Sequence, residues 1–206
     1  MIDYRLDGDV RFISHQDTLR LFHRALARAG LPVRYSEGFN PHPRVTLPLP
    51  RPVGVASDAE TAVVELTERI DTEEATRRLA EQMPEGIDIR RGRWLKPGEK
   101  LVPDLVRYRL STGDRPPGDL ERRARGLLAS EIVEVQRTKP DEGGSRTVDI
   151  RPFLADVAAT PDGIEVTLRV TGSGTARPTE VAQLLELDDE ETHCRIRRTE
   201  VIWRQN

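Results

Sequence analysis

The sequence predicts an α+β fold made of two tandem ferredoxin-like units, each with an antiparallel sheet. Its 206 residues can form one large domain or two domains of about 100 residues. The predicted elements of the first half follow the order strand, helix, strand, strand, helix, strand, which is the βαββαβ order of a ferredoxin-like unit. The second half repeats this order, whereas a doubly wound sheet needs a helix between successive strands throughout. The proline- and glycine-containing stretch 96–103 separates the halves, so the predicted units are residues 1–97 and 104–206.

The most clearly marked element of the first half is a helix at 14–29. Ser14 and Asp17 match the Ser-x-x-Asp capping box, in which a hydroxyl and a carboxylate satisfy the amides of the first turn. Gly30 and Pro32 end the helix, because glycine adopts the left-handed conformation easily and proline cannot continue a helix. The other elements predicted in this half are extended segments at 4–12, 32–36, 45–49, 61–67 and 87–95 and a helix at 71–83.

The clearest strand of the second half is 163–170, GIEVTLRV, in which apolar and polar residues alternate. The polar stretch 139–145, KPDEGGS, predicts a hairpin connection between strands at 132–138 and 146–154. The remaining predicted elements are strands at 106–111 and 194–203 and helices at 119–130 and 179–187.

Composition limits the class of protein more than it defines an activity. Acids and bases nearly cancel to a formal net charge of −3, so the chain as a whole has no polyanion-binding signature, and any such binding has to be local. Cys194 is the single cysteine, which excludes an internal disulfide and favours a reducing, cytoplasmic location. The N-terminal residues are too acidic for a signal peptide, and no apolar run is long enough to cross a membrane.

A local excess of positive charge coincides with the first helix. Arg20, Arg24 and Arg28 are spaced four apart, on the face opposite to the apolar residues of that helix. Residues 15–54 contain six arginines and two acidic residues, an excess of four positive charges in an acidic chain. One interpretation is an ordinary solvated helix exterior, where arginines usually lie. The other is a surface that binds phosphates.

The loop at 38–44, GFNPHPR, follows this helix. Its two prolines and its glycine exclude regular structure and predict a stiff turn. Stiffness lowers the entropic cost of binding, so Asn40, His42 and Arg44 are candidate contacts to an anion or a nucleic acid. The alternative is a rigid connection that contacts no ligand.

A second basic run begins at Arg90, Arg91 and Arg93. From residue 90 to 109 there are seven basic and two acidic residues, an excess of five, so a cationic strip near the unit boundary is predicted. Trp94 within this run could stack on a base, although a single tryptophan in a strand usually belongs to the core. A rim of solvated charge is the alternative.

A glycine-containing stretch at 172–178, GSGTARP, lies between a predicted strand and a predicted helix. Backbone amides and a helix N-terminus at such a place can hold a phosphate, with Arg177 as the cation. The Gly-Lys-Ser/Thr ending of a nucleotide-triphosphate loop is absent. A plain turn into the helix is the alternative interpretation.

The four histidines show no metal-ligand spacing, so no metal site is predicted. A metal-independent endoribonuclease can use one histidine as general acid or base together with cations that stabilise the transition state. His42 is the candidate for that role, because it is flanked by arginines in a loop.

Several segments resemble the bacterial radical-SAM-linked protein family. They are RFISHQDTLRLFHRALARAGLPVRYSEGFNPHPRVTLPLPRPVGVASDAE, TLRVTGSGTARPTEVAQLLEL and RIRRTEV. The resemblance implies an association with a radical S-adenosylmethionine enzyme, and it implies no particular reaction for this chain. One cysteine cannot ligate a four-iron cluster, so no cofactor is expected in the chain itself and the radical chemistry would belong to the partner.

These observations lead to one functional expectation and two alternatives. We expect a non-catalytic RNA-binding accessory module that presents structured RNA to a radical S-adenosylmethionine enzyme. The alternatives are a domain that docks on that enzyme without nucleic acid, and a metal-independent endoribonuclease. The predicted nucleic-acid contacts are Arg20, Arg24, Arg28, Asn40, Arg44, Arg90, Arg91, Arg93 and Arg177.

Overall fold

A computed structural model describes residues 1–112, 117–138, 144–187 and 195–204. The chain divides into two units, Met1–Val102 together with Arg204, and Pro103–Trp203. Within both units the described strands pair antiparallel, and four α-helices accompany them. The α+β class with antiparallel sheets is therefore confirmed. Of the predicted hairpin connection at 139–145, residues 139–143 lie outside the described residues, as do His193 and Cys194.

The first unit has the element order that the sequence predicts for it. Strand β1 lies between β3 and β4 and pairs antiparallel with both, and β2 pairs with the other side of β3, so the strand order is β4-β1-β3-β2. A short 3-10 turn, Gly8–Phe12, follows the first strand. The elements are β1 (Ile2–Leu6), α1 (His15–Arg28), β2 (Val45–Thr46), β3 (Ala56–Val64), α2 (Thr72–Ala80) and β4 (Ile87–Gly92).

Helix α1 begins and ends as its sequence predicts. The Ser14 hydroxyl accepts a hydrogen bond from the Asp17 amide at 3.1 Å and donates to the Asp17 carboxylate at 2.7 Å. This hydroxyl and the Arg20 guanidinium lower the pKa of Asp17. Gly30 has a φ of +60°, the left-handed conformation that ends many helices.

The core of the first unit determines which face of α1 is exposed. Phe22 and Leu26 are fully buried, and the Phe22 ring lies 5.0 Å from the ring of buried Tyr4. Leu6 and Leu79 complete this cluster from β1 and α2. Because these positions recur at helical spacing, the arginines that alternate with them are directed to solvent.

The second unit contains two more strands than the βαββαβ order. Its main sheet has the order β10-β5-β9-β8, and β6 and β7 form a separate two-stranded sheet. The predicted strand at 146–154 is interrupted at Pro152 by a 3-10 turn, Arg151–Phe153, because proline has no amide to continue a strand ladder. The elements are β5 (Pro103–Leu110), α3 (Pro117–Ala129), β6 (Glu134–Thr138), β7 (Ser145–Asp149), β8 (Leu154–Thr160), β9 (Gly163–Arg169), α4 (Pro178–Leu184) and β10 (Ile196–Trp203).

Candidate nucleic-acid interface

The exposed face of α1 carries the three predicted arginines, and they differ in their partners. Arg20 forms an ion pair with Asp17, with its guanidinium 2.9 Å from the carboxylate. Arg24 donates to the Arg20 carbonyl at 3.3 Å, and Arg28 donates to the Gln82 carbonyl at 2.8 Å. In the part of the chain that the structure describes, no carboxylate lies within ion-pair distance of Arg24 or Arg28. The charges of these two guanidinium groups are therefore not offset by a paired carboxylate within the described chain.

The loop after α1 is closed by hydrogen bonds across its neck. The Ser36 amide donates to the His42 carbonyl at 2.8 Å, and the His42 amide donates to the Ser36 hydroxyl at 3.1 Å. Tyr35 and Pro43 form a β-bridge just outside this pair. The predicted strand at 32–36 is thus only a bridged loop neck. The structure thus shows a closed loop neck, and the stiffness of the loop stays a prediction from its two prolines.

Strand β2, which directly follows this loop, contacts helix α1. Burial lowers the pKa of His23 in α1, and the nearby charge of His42 lowers it further. The loop therefore lies near α1 on the side of His23, which is three residues from Arg20 and so next to it on the helix surface. We call this region the helix–loop surface and define it by Arg24, Arg28, Phe39, Asn40 and His42.

The tip of the loop exposes an aromatic ring that sequence reasoning did not select. The Phe39 side chain has a relative exposure of 105%. Asn40 and His42 are exposed beside it, and the Nδ1 atom of His42 lies 2.9 Å from the Ser36 hydroxyl. A phenylalanine between a glycine and Asn-Pro, where a turn normally has small or polar residues, is the signal that could have identified this position.

Two further arginines lie near the loop neck. Arg44 lies 3.4 Å from the Glu65 carboxylate, so its charge is partly neutralised. Arg34 is exposed, and no carboxylate of the described chain lies within ion-pair distance of it. Arg34 contributed to the predicted local excess of charge but was not among the predicted contacts.

The predicted strip at Arg90, Arg91 and Arg93 is neutralised by carboxylates. Arg90 pairs with Asp88 at 3.1 Å and Arg91 with Asp3 at 2.7 Å. Arg93 makes two hydrogen bonds to Glu99, at 2.5 and 3.1 Å. Arg93 and the Lys96 amide lower the pKa of Glu99 to about 2. The strip therefore has three positive and three negative groups, and we leave it out of the interface.

Arg177 belongs to a plain turn rather than to a phosphate loop. The Arg177 amide donates at 2.8 Å to the carboxylate of Glu180, which thus occupies the N-terminus of the short helix α4. The same carboxylate receives two hydrogen bonds from Arg137, at 2.7 and 2.9 Å. The Thr171 and Gly174 backbones close the preceding glycine turn on itself. A phosphate at this helix end would have to displace Glu180.

Two cavities open on the first unit. A small polar cleft includes His15, Glu60 and Arg51, whose guanidinium donates to backbone carbonyls such as that of Val55 at 2.7 Å. A larger cavity is mostly apolar. The Trp94 ring at the larger cavity has the Arg69 guanidinium 5.5 Å from its centre. The apolar side chains that line the larger cavity include Leu26, Leu31, Val64, Leu66 and Ile70.

Among the described residues, no group of three or more His, Cys, Asp or Glu side chains could hold a metal ion. The His42 ring contacts the Ser36 hydroxyl and the Asn40 carbonyl, and no described carboxylate hydrogen-bonds to it. A catalytic role for His42 stays a prediction without further geometric support.

Comparison with known proteins supports a family and no particular activity. No helix in the described part of the chain is both long and apolar enough to cross a membrane. No curated protein is similar enough to the chain to match it. The model of one protein family, described as an uncharacterized protein conserved in bacteria, matches residues 1–179. The chain therefore belongs to this family, DUF2344.

Proposed function

We propose that the chain is a non-catalytic RNA-binding accessory module that acts through the helix–loop surface. One observation carries the proposal: Arg24 and Arg28, whose charges no described carboxylate neutralises, lie on a helix that borders a stiff loop with an exposed aromatic ring. Guanidinium groups bind phosphate oxygens through several donors in a fixed plane, and they keep their charge at every physiological pH. Cations beside an exposed aromatic ring are typical of surfaces that bind nucleic acids.

The charge distribution limits how strong this binding can be. The chain has a net charge of −3, so long-range attraction to RNA is weak and affinity depends on contacts at the surface itself. A few phosphate contacts give a shallow dependence on salt, because each contact releases less than one counterion. We expect moderate affinity, which suits a module that holds RNA for another protein.

The partner in this proposal is a radical S-adenosylmethionine enzyme, and its support is the sequence resemblance alone. In this arrangement the chain holds structured RNA and the enzyme supplies the cluster and the chemistry. The test is co-purification of the two proteins from a lysate, with and without nuclease. Association that disappears after nuclease treatment agrees with an RNA-bridged complex.

A second candidate function is a docking domain that binds the partner enzyme without RNA, and the apolar cavity at Trp94 favours it. The mostly apolar wall of this cavity can contact an apolar side chain of another protein. Association that persists after nuclease treatment, and that is lost when Ala75 in the cavity wall is replaced by Trp, supports this candidate instead.

The proposal extends to the fold, which we interpret as two tandem ferredoxin-like units. The strand orders support it: β4-β1-β3-β2 in the first unit and β10-β5-β9-β8 in the second place corresponding strands in corresponding positions. In this interpretation β6 and β7 are a hairpin inserted after α3. A version of the chain without residues 132–149, rejoined by a short linker, should keep a cooperative unfolding transition.

The direct experiment is a fluorescence anisotropy titration of a labelled RNA hairpin with the full chain in 50 mM salt. We expect saturable binding that weakens as salt is raised. Nonspecific RNA binding usually has a Kd of about 1–100 µM at physiological salt. An absence of binding at about 100 µM protein in low salt, beyond that weak range, contradicts the proposal.

A further inference from the structure

We infer that Phe39 stacks on an unpaired base, so that the RNA ligand is a loop or a single-stranded tail rather than a continuous duplex. The inference rests on the proposed function and specifies its substrate. It starts from the complete exposure of the ring, which makes Phe39 the most exposed large apolar side chain among the described residues. A phenylalanine ring has no polar atom that would gain from contact with water.

The backbone presents this ring rather than folding it against the unit. Gly38, immediately before it, has a φ of +121°, a conformation that side-chain-bearing residues rarely adopt. The hydrogen bonds between Ser36 and His42 close the loop behind the ring, and Pro41 stiffens the return. The ring is therefore held outward by a preformed loop, and a ligand can bind it at low entropic cost.

The surroundings of the ring match a nucleotide better than an apolar protein pocket. Asn40 and His42 are exposed next to it and offer hydrogen-bonding groups for a base edge or a sugar. Arg24 and Arg28 on the adjoining helix offer charge for phosphates. Glu37 is the single acidic residue of the loop.

Base stacking then determines the form of the RNA. In a duplex the faces of the bases are already stacked on one another, and side chains cannot reach them. Unpaired bases in loops and tails are splayed out and stack readily on aromatic rings. Every base has such a face, so Phe39 should show little preference for sequence.

The experiment compares three labelled RNAs of equal length with the full chain: an unstructured strand, a hairpin and a blunt duplex. Each is titrated with the wild type, Phe39→Ala, Phe39→Trp and the double variant Arg24→Gln/Arg28→Gln. We expect Phe39→Ala to weaken binding of the unstructured strand about 10-fold and to leave duplex binding unchanged. Phe39→Trp should keep the wild-type affinity, and the emission of the added tryptophan should be quenched by the unstructured strand.

The outcomes separate this inference from the proposed function. If Phe39→Ala has no effect on any RNA while the arginine variant weakens binding, the stacking inference is wrong and the proposed function stands. If Phe39→Ala weakens duplex and single strand equally, the inference is also wrong. If it leaves RNA binding intact but abolishes co-purification with the partner enzyme, Phe39 is a protein anchor. If the wild type binds no RNA, both proposals are wrong.

Because Phe39 is fully exposed, its variants should unfold at the wild-type temperature, which circular dichroism can check.

Discussion

Replacement of Arg24 and Arg28 by glutamine should weaken RNA binding by an amount that can be worked out from the structure. Neither side chain pairs with a carboxylate in the described chain, so each can contribute one phosphate contact. For single-stranded nucleic acid the slope of log K against log salt is about −0.7 per contact, so two lost contacts reduce the slope by about 1.4. We take the phosphate contacts to contribute nothing to the affinity at 1 M salt. A slope change of about 1.4 then corresponds to about a 25-fold loss of affinity at 0.1 M salt. Anisotropy titrations at three salt concentrations measure both quantities.

The matched control replaces three arginines that already pair with carboxylates, and it removes more positive charge than the double variant does. The triple variant Arg90→Gln/Arg91→Gln/Arg93→Gln lowers the net charge by three, whereas the double variant lowers it by two. Each of the three control arginines already has a carboxylate within 3.1 Å. We therefore expect less than about a threefold loss of affinity, since exposed charges away from the site are screened beyond about 10 Å at 0.1 M salt. A larger effect of the triple variant, or an unchanged salt slope in the double variant, refutes the reasoning.

Three further predictions concern stability and protonation. Gly86→Ala should lower the free energy of unfolding by at least about 1–3 kcal/mol, because the φ of Gly86 is +90° and the added Cβ would lie 2.5 Å from the Asp7 carbonyl oxygen. A urea titration measures this loss, and an unchanged unfolding midpoint would contradict the prediction. Glu180→Gln should lower the free energy of unfolding by about 3–5 kcal/mol, because it breaks a largely buried ion pair and leaves the Arg137 guanidinium without a carboxylate. A loss below about 1 kcal/mol in the same titration would show that water replaces the carboxylate. His23 should titrate below the ordinary 6.5 in a proton NMR titration. The contribution of His23 to the free energy of unfolding is present above pH 6.5 and is lost as pH falls through its lowered pKa, because the unfolded chain takes up the proton first. His23→Gln should therefore reduce the dependence of the free energy of unfolding on pH between these two values.

Much of the first unit could be predicted from local sequence signals. Ser14, Asp17 and Gly30 define the ends of α1 through interactions within a few residues, and the apolar spacing around Phe22 defines its buried face. The prolines of the loop predict its stiffness for the same reason. The second unit was less predictable, because the strand pattern at 146–154 runs through Pro152, and no local signal shows that β6 and β7 form a sheet of their own apart from the main sheet.

The partners of the arginines could not be predicted from charge counts. Arg91 pairs with Asp3, which is 88 positions away, so a local window records an excess of charge where the folded chain has none. Arg51 was counted in the excess around α1, yet its guanidinium binds backbone carbonyls in a neighbouring loop. The exposure of the Phe39 ring could not be predicted from the sequence either. Its complete exposure depends on the closed loop neck, and an aromatic residue in a sequence usually indicates core.

The most direct test of the account is to map RNA contacts on the full, isotope-labelled chain by NMR chemical-shift perturbation. Titration with an unstructured RNA strand should shift the backbone amides of residues 20–28 and 36–44 in a saturable way, and the amides of residues 90–93 should remain unchanged. Shifts centred on residues 90–93 or 172–178, or no shifts at RNA concentrations that saturate binding, would contradict the claim that the helix–loop surface is the RNA-binding site.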